Sequence, residues 1–164
     1  MTDWDRIVRE HGSMVFGTAW RVLGHVADCE DVVQDAFLEA HRLQQAQAIR
    51  NWGGLLRRLA TYRALDRLRQ RKEVHSLNGV ALAAVEGPEA AAMRNELAGR
   101  LRQVIAQLPE REATVFCLRY FDELPYAQIA DTLDISPGAV ATALHKARAK
   151  LDSLLAGVVS GDRP

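Results

Sequence analysis

The chain has 164 residues, 48% hydrophobic and 26% charged, with 21 basic residues balancing 21 acidic ones. That length allows one compact domain or two small ones, and that composition suits a protein able to bury a core. No apolar run approaches membrane-spanning length and the opening MTDWDRIVRE has no signal-peptide pattern, so the expectation is a cytoplasmic chain without membrane insertion.

Strand alternation of useful length is absent, and the expected fold class is all-α. A first helix is expected over about Asp3 to Leu23, ending near Gly24. A second begins near Ala27 or Asp28 and runs to about Gln44, followed by a short polar connection to Asn51. A third covers Trp52 to Lys72. Val74 to Pro88, with Gly79, Gly87 and small residues, reads as a flexible linker. Helical periodicity resumes through Met93, Leu97, Leu101, Val104, Ile105 and Leu108. Pro109 starts a helix to about Phe121. These elements predict two small helical domains, residues 1–73 and 93–156, with residues 74–92 as linker and 157–164 as a frayed tail.

The most specific stretch is YAQIADTLDISPGAVATALHKARAKL, Tyr126 to Leu151. A short helix to Leu133 carries Ala127, Ile129, Ala130 and Leu133 on an apolar face. Asp134, Ile135 and Ser136 make the turn. Ser136 is a good N-cap, and Pro137 sits at the first helical position, where its missing N–H costs nothing. The next helix keeps Val140, Leu144, Ala147 and Leu151 at core spacing. This is the pattern of a helix-turn-helix, whose second helix enters a DNA major groove. Its candidate groove residues are Ser136, Gly138, Ala139, Thr142, His145, Lys146 and Arg148.

The neutral total hides separated blocks. From Arg50 to Lys72 stand Arg50, Arg57, Arg58, Arg63, Arg67, Arg69, Arg71 and Lys72 against the single acid Asp66. That excess, with Trp52 and Tyr62 nearby, suits phosphates and unstacked bases of single-stranded DNA. Leu55, Leu59, Tyr62, Leu65 and Leu68 form a core stripe on the same helix. In the preceding helix Asp28, Asp31, Asp35 and Glu39 share one side, opposite Val32, Val33, Ala36, Phe37 and Ala40. Such a side is either a solvated face or a docking surface for a basic partner. The separation implies one basic face for phosphates and another face for a protein.

Cys29 and Cys117 lie in helical, partly apolar contexts, where reduced packed thiols are expected. The spacing of His25 and Cys29 mimics a metal pair but has no second pair nearby, so packing is the expectation. Asp66, His41 and His75 could be assembled into acid/base chemistry, yet no nucleophile motif, glycine-rich phosphate loop or metal spacing accompanies them. No catalytic residue, cofactor or metal is therefore expected.

Taken in order, DCEDVVQDAFLEAHR, LLRRLATYRALDRLRQRK and LPEREATVFCLRYFDELPYAQIADTLDISPGAVATALHKARAKL resemble a bacterial extracytoplasmic-function (group 4) RNA polymerase sigma factor of the sigma-70 family, over about Asp3 to Leu155. The resemblance implies a region-2 domain whose acidic helix binds the β′ clamp helices of core polymerase through Asp28, Asp31, Asp35, Phe37 and Glu39. It implies a −10 surface made of Gln47, Arg50, Asn51, Trp52, Arg57, Arg58, Arg63 and Arg67, with base capture in the loop Gln44 to Asn51. It implies a region-4 domain that meets the −35 element and the β flap, and a linker threading towards the RNA exit channel. It also admits an anti-sigma factor that clamps both domains. A stand-alone helix-turn-helix regulator, binding palindromic duplex as a dimer, is the alternative.

This chain departs from the family pattern in region 4. Ala141 and Ala143 stand where relatives carry basic residues, and Asp134 stands where the turn usually has glycine. From Pro109 to Pro164 six bases face eight acids, which predicts −35 recognition that is weak, unusual in sequence, or helped by partner proteins.

Overall fold

A computed structural model describes residues 1–73 and 88–160. Seven helices and no strand occur among the described residues: α1 (Trp4–Leu23), α2 (Val26–Ala46), α3 (Trp52–Glu73), α4 (Pro88–Ile105), α5 (Glu110–Tyr120), α6 (Tyr126–Leu133) and α7 (Pro137–Ser160). The all-α expectation is met, with a bundle of α1–α3 followed by one of α4–α7. Most of the linker expected over 74–92 lies outside the described residues, as does the end of the tail.

Side chains cap the helices of the first bundle. Asp3 accepts a hydrogen bond from the Arg6 N–H at 3.1 Å, and His25 Nδ1 accepts from the Asp28 N–H at 3.4 Å. Asn51 Oδ1 accepts from the Gly54 N–H at 2.9 Å. Each satisfies one orphan donor of a helix start. α1 stops at Gly24, whose left-handed φ of 60° lets its N–H return to the Trp20 carbonyl. Ile7, Val15, Ala19 and Val22 of α1, Cys29, Val32, Ala36 and Ala40 of α2, and Leu56, Ala60, Leu65 and Leu68 of α3 fill the centre. His25 is thus a helix cap and Cys29 a buried thiol.

Prolines open the helices of the second bundle. Pro88 and Pro137 are the first residues of α4 and α7, while Pro109 and Pro125 are the N-caps of α5 and α6. α5 is buried almost from end to end, and α6 and α7 pack on it and on each other. Glu112 of α5 is buried and accepts from Lys150 Nζ of α7 at 2.8 and 3.0 Å, so its charge is paired.

Several expectations change in detail. α2 continues to Ala46, which shortens the connection to residues 47–51. α4 already begins at Pro88, inside the stretch expected as linker, and α7 reaches Ser160, inside the expected tail. Met93 and Leu97 continue the helical period but are 66% and 62% exposed, because no described element covers that half of α4. Ala127 of α6 is exposed, and its apolar face is Ile129 and Ala130 with half-buried Leu133. Tyr62 is half-buried rather than core, while Leu56, outside the expected stripe, is fully buried.

The bundles also touch one another, since α3 packs against α5 and α6 as well as against α1 and α2.

Candidate functional site

The acidic face of α2 and the basic face of α3 do not look in different directions. They meet. Arg67 reaches Asp31 at 3.3 Å, Asp28 at 3.5 Å and Asp35 at 3.9 Å. Arg71 donates to Asp28 and, at 3.0 Å, to the Leu23 carbonyl at the end of α1. Arg63 donates to Glu39, and the carboxylate accepting that bond holds the Arg63 pKa above its ordinary value. The expectation of one face for phosphates and another for a protein is therefore corrected. The acids and the arginines form a single mixed strip, because α2 and α3 pack with these side chains in register.

The strip is graded. Asp28 faces Arg67, Arg71 and His25, is mostly covered, and acts as an internal hub. Asp31 and Asp35 are 54% and 46% exposed in their side chains, with Arg67 at 3.3 and 3.9 Å. They retain open carboxylate edges towards solvent.

Beside the strip, a groove of about 600 Å³ runs between α1 and α2. Val8, Val33, Phe37 and Leu38 supply its apolar wall, and Gln34 and His41 its polar rim. Leu38 is 55% exposed and shares the groove with Val8, 46% exposed, so the apolar exposure is a patch and not a single side chain. Phe37 and Val33, expected on the inner side, are half-buried and open onto this groove. Gln34, Leu38 and Val8 were not among the expected site residues. The available signal was the sequence of α2 itself, where Val33, Phe37 and Leu38 widen the apolar arc beyond what one packed face needs.

The residues expected to hold single-stranded DNA are distributed unequally. Gln47 and Arg50 are exposed in the connection. Asn51 is exposed too, but its side-chain oxygen is taken by the cap of α3. Trp52 is half-buried, its ring edge-on to Trp4 at 5.2 Å, which in turn lies 5.0 Å from His41. That aromatic series joins the connection to the groove. Arg58 is half-buried on α3. Arg57 points to the second bundle, where its Nη1 lies 3.5 Å from Asp122.

The helix-turn-helix forms as expected. α6 ends at Asp134 in the left-handed region, with φ 55° and ψ 49°. Ser136 Oγ then accepts from the Ala139 N–H at 3.1 Å and starts α7. Val140, Leu144, Ala147 and Leu151 are buried, which turns Ser136, Gly138, Thr142, His145, Lys146 and Arg148 to solvent. Ala139 is half-buried, so its contact surface is small. Thr142 donates to the Gly138 carbonyl at 3.0 Å, and Arg148 donates to the Tyr120 hydroxyl at 2.6 Å. Arg148 is thereby held towards α5. Of the two alanines at customary basic positions, Ala141 is exposed and Ala143 is buried, 5% exposed. Only Ala141 stands on the exposed side of α7.

Both thiols are buried, and burial pushes both pKa values up, most of all that of Cys117. Among the described residues no group of three or more His, Cys, Asp and Glu could hold a metal ion, and no helix is long and apolar enough to cross a membrane.

Comparison with known proteins agrees with this geometry. Residues 7–74 match the family model for Sigma-70 region 2, and residues 98–151 match that for Sigma-70, region 4. The ECF RNA polymerase sigma factor SigW of Bacillus subtilis is 31% identical over 159 residues, covering 88% of this chain and 84% of that protein. This chain is an ECF sigma factor of the sigma-70 family. A second ECF sigma factor, SigE of Mycolicibacterium smegmatis, is 30% identical over 95% of this chain and 63% of its own length. The fold is shared with CnrH, solved in complex with the cytosolic domain of CnrY, at TM-score 0.59 and 23% identity over 93% of this chain and 87% of that one. It is shared also with RpoE of Bartonella quintana, solved with the anti-sigma factor NepR, at TM-score 0.55 and 17% identity over 99% and 100% of the two chains. Sigma factors of this family direct RNA polymerase to promoters, and a stand-alone helix-turn-helix regulator is not favoured, since a region-2 domain fills the first half of the chain.

Proposed function

We propose that this sigma factor docks on core RNA polymerase through the groove between α1 and α2 together with the exposed edges of Asp31 and Asp35. The observation that carries this reading is the adjacency of an open apolar groove and incompletely paired carboxylates on one surface. An apolar centre with a charged rim is the composition of a specific protein interface. It fits an amphipathic helical hairpin with basic residues beside its apolar face, such as the β′ clamp helices. In this reading Phe37, Leu38 and Gln34 touch the partner, Asp31 and Asp35 set its register, and Asp28 and Glu39 hold α3.

The −10 strand runs over Gln47, Arg50 and the exposed side of α3, with Arg57, Arg58, Arg63 and Arg67 as its phosphate ligands. Asn51 and Trp52 shape the connection more than they read bases, and any flipped base enters beside them. The groove face of α7, Ser136 to Arg148, meets the −35 duplex, with Lys146 and His145 outermost and the β flap held elsewhere on the second bundle. Residues 1–73 and 93–156 are the working units, joined through 74–92. An anti-sigma factor, of the kind seated on RpoE of Bartonella quintana, is a partner consistent with two binding faces on separate bundles. The protein works in the cytoplasm, carries no catalytic group or cofactor of its own, and leaves nucleotidyl transfer to the polymerase.

The test is reconstitution with purified bacterial core polymerase, followed by size exclusion and run-off transcription on fragmented genomic DNA. Stoichiometric co-elution with discrete new transcripts is the expected result. A folded chain that fails to co-elute at low salt would overturn the docking assignment.

A further inference from the structure

Where α5, α6 and α7 converge, two tyrosines and two arginines cluster beside the groove face of α7. Arg148 donates through Nε to the Tyr120 hydroxyl at 2.6 Å, and its guanidinium carbon lies 5.4 Å from the centre of the Tyr120 ring. Tyr120 is the last residue of α5 and is 43% exposed, yet its ring is anchored. It leans on buried Phe116, with ring centroids 4.7 Å apart, and Phe116 meets Phe121 edge-on at 6.2 Å. The phenol therefore stands on the core of the second bundle. Tyr126, the first residue of α6, has Arg119 at 5.4 Å from its ring centre, and Arg119 also donates to the Leu124 carbonyl at 3.1 Å. Tyr120 first, and Tyr126 after it, hold the Arg148 pKa above its ordinary value.

The place of Arg148 on its helix gives this contact a use. Arg148 follows Ala141 by seven residues and His145 by three, so the three share one exposed flank of α7, next to the buried Leu144 and Leu151. Ala141 brings no charge to that flank. Lys146 stands on the other side of the helix, and Lys150 is paired with Glu112. A helix about 10–12 Å across fills a major groove about 12 Å wide, so each flank faces a phosphate strand. The bond to Tyr120 uses Nε, and the four Nη–H donors lie outside it. Those are the donors that fork onto a phosphate. A guanidinium already fixed on an anchored ring loses less rotamer freedom on meeting phosphate than one free in solvent.

We propose that Tyr120 is a positioning residue for −35 recognition: its hydroxyl presets the Arg148 guanidinium on the Ala141 flank of α7, aimed at a phosphate of the duplex. The aim at DNA rests on the −35 role proposed for α7 above. The bond that sets the guanidinium does not. Phosphates carry no sequence, so Tyr120 governs register and affinity rather than which bases are read.

The central variant is Tyr120→Phe, which keeps the ring on Phe116 and removes only the acceptor. It is compared with Arg148→Ala and with the double variant, after circular dichroism melts establish that all three fold. Each is reconstituted as holoenzyme and titrated by fluorescence anisotropy, across a salt series, against the promoter duplex recovered by run-off transcription. Arg148→Ala is expected to lower the slope of log affinity against log salt by about 0.9, one phosphate contact. Tyr120→Phe is expected to weaken binding by about fivefold with little change of slope, because the cation remains but is no longer placed. The double variant is expected to match Arg148→Ala, because Tyr120 acts through that residue. A second measurement needs no polymerase. In the free, isotope-labelled chain, NMR is expected to show the Arg148 Nε–H exchanging with water several times faster once Tyr120 is phenylalanine. Equal exchange in Tyr120→Phe and wild type overturns the preset guanidinium. Wild-type DNA affinity in Tyr120→Phe, or losses that simply add in the double variant, overturns the route from Tyr120 through Arg148 to phosphate. A wild-type holoenzyme that fails to form, or that binds the full duplex no better than a fork template cut just upstream of the −10 element, overturns the −35 role itself. The aim at DNA falls with it, and the exchange rates still decide whether Tyr120 holds Arg148.

Discussion

The two bundles present their binding chemistry in opposite ways. In α1–α3 the charged residues are numerous and already engaged with one another, Arg67 with three carboxylates and Arg63 with Glu39. In α4–α7 the exposed face of α7 is sparse, with small residues and only Lys146 and Arg148 as cations between Ser136 and Arg148. A pre-paired strip is held in shape before any partner arrives, and a partner gains by replacing contacts rather than creating them. A sparse surface has nothing to release and depends on shape, on a few base edges, and on being tethered near its target. If the function proposed above holds, the first bundle carries the affinity and the second adds selectivity.

The sharpest way to break that comparison is to spoil the groove without touching the charged strip. Leu38→Lys places an ammonium in the apolar wall. Leu38 is 55% exposed, so thermal stability of the free protein should change by less than about 0.5 kcal/mol. Affinity for core polymerase, read by fluorescence anisotropy, should fall by roughly a hundredfold, the scale of a central contact replaced by an unpaired charge. Reversing Asp31 and Asp35 to lysine should weaken the same binding but also repel Arg67, so helix stability falls with it. If Leu38→Lys leaves polymerase affinity intact, the groove is not the dock and the strip alone carries the first bundle's role.

How much of this was readable from the sequence depends on range. The helix-turn-helix was legible almost residue by residue, because Ser136 and Pro137 punctuate it and Val140, Leu144, Ala147 and Leu151 repeat at helical spacing. Local chemistry fixes such features. The α2–α3 strip was not legible, although each half was visible, because pairing depends on how two helices slide against each other. Asp122 was invisible for the same reason. Nothing within its own loop announces partners 101 and 104 residues earlier in the chain. Met93 and Leu97 failed in the other direction, since periodicity reports that a helix is amphipathic and not that anything covers it.

The two alanines of α7 sharpen the second half of the comparison. Ala141→Arg adds a cation on the exposed side, where one more phosphate contact should steepen the dependence of log affinity on log salt by about 0.9. The readout is holoenzyme binding to duplex carrying the −35 element, across a salt series. Ala143→Arg would force a large charged side chain into a buried site and should cost about 3 kcal/mol or more of stability without improving binding. If both variants fold and both strengthen binding, the α7 register is wrong and the groove face must be reassigned.

The smallest expected effect compares the helix ends of the two bundles. α1 ends on Gly24 at φ 60° and α6 ends on Asp134 at φ 55°, so the same left-handed backbone is reached once with glycine and once without. For a residue with a Cβ that region is strained, by about 1–2 kcal/mol in general and less for Asp, whose short polar side chain tolerates it. Asp134→Gly should therefore stabilise the protein by about 0.5 kcal/mol, offset in part by the greater freedom of glycine in the unfolded chain. Gly24→Ala should act in the opposite sense and more strongly, because its new Cβ would also run into the Arg102 guanidinium. Urea melts of the two variants measure both. The Gly24 variant has a second consequence that the Asp134 variant lacks: displacing Arg102 weakens a bond that joins the bundles, so its radius of gyration should rise while that of Asp134→Gly stays at the wild-type value. Equal behaviour of the two variants in scattering would mean that Arg102 takes no part in holding the bundles together.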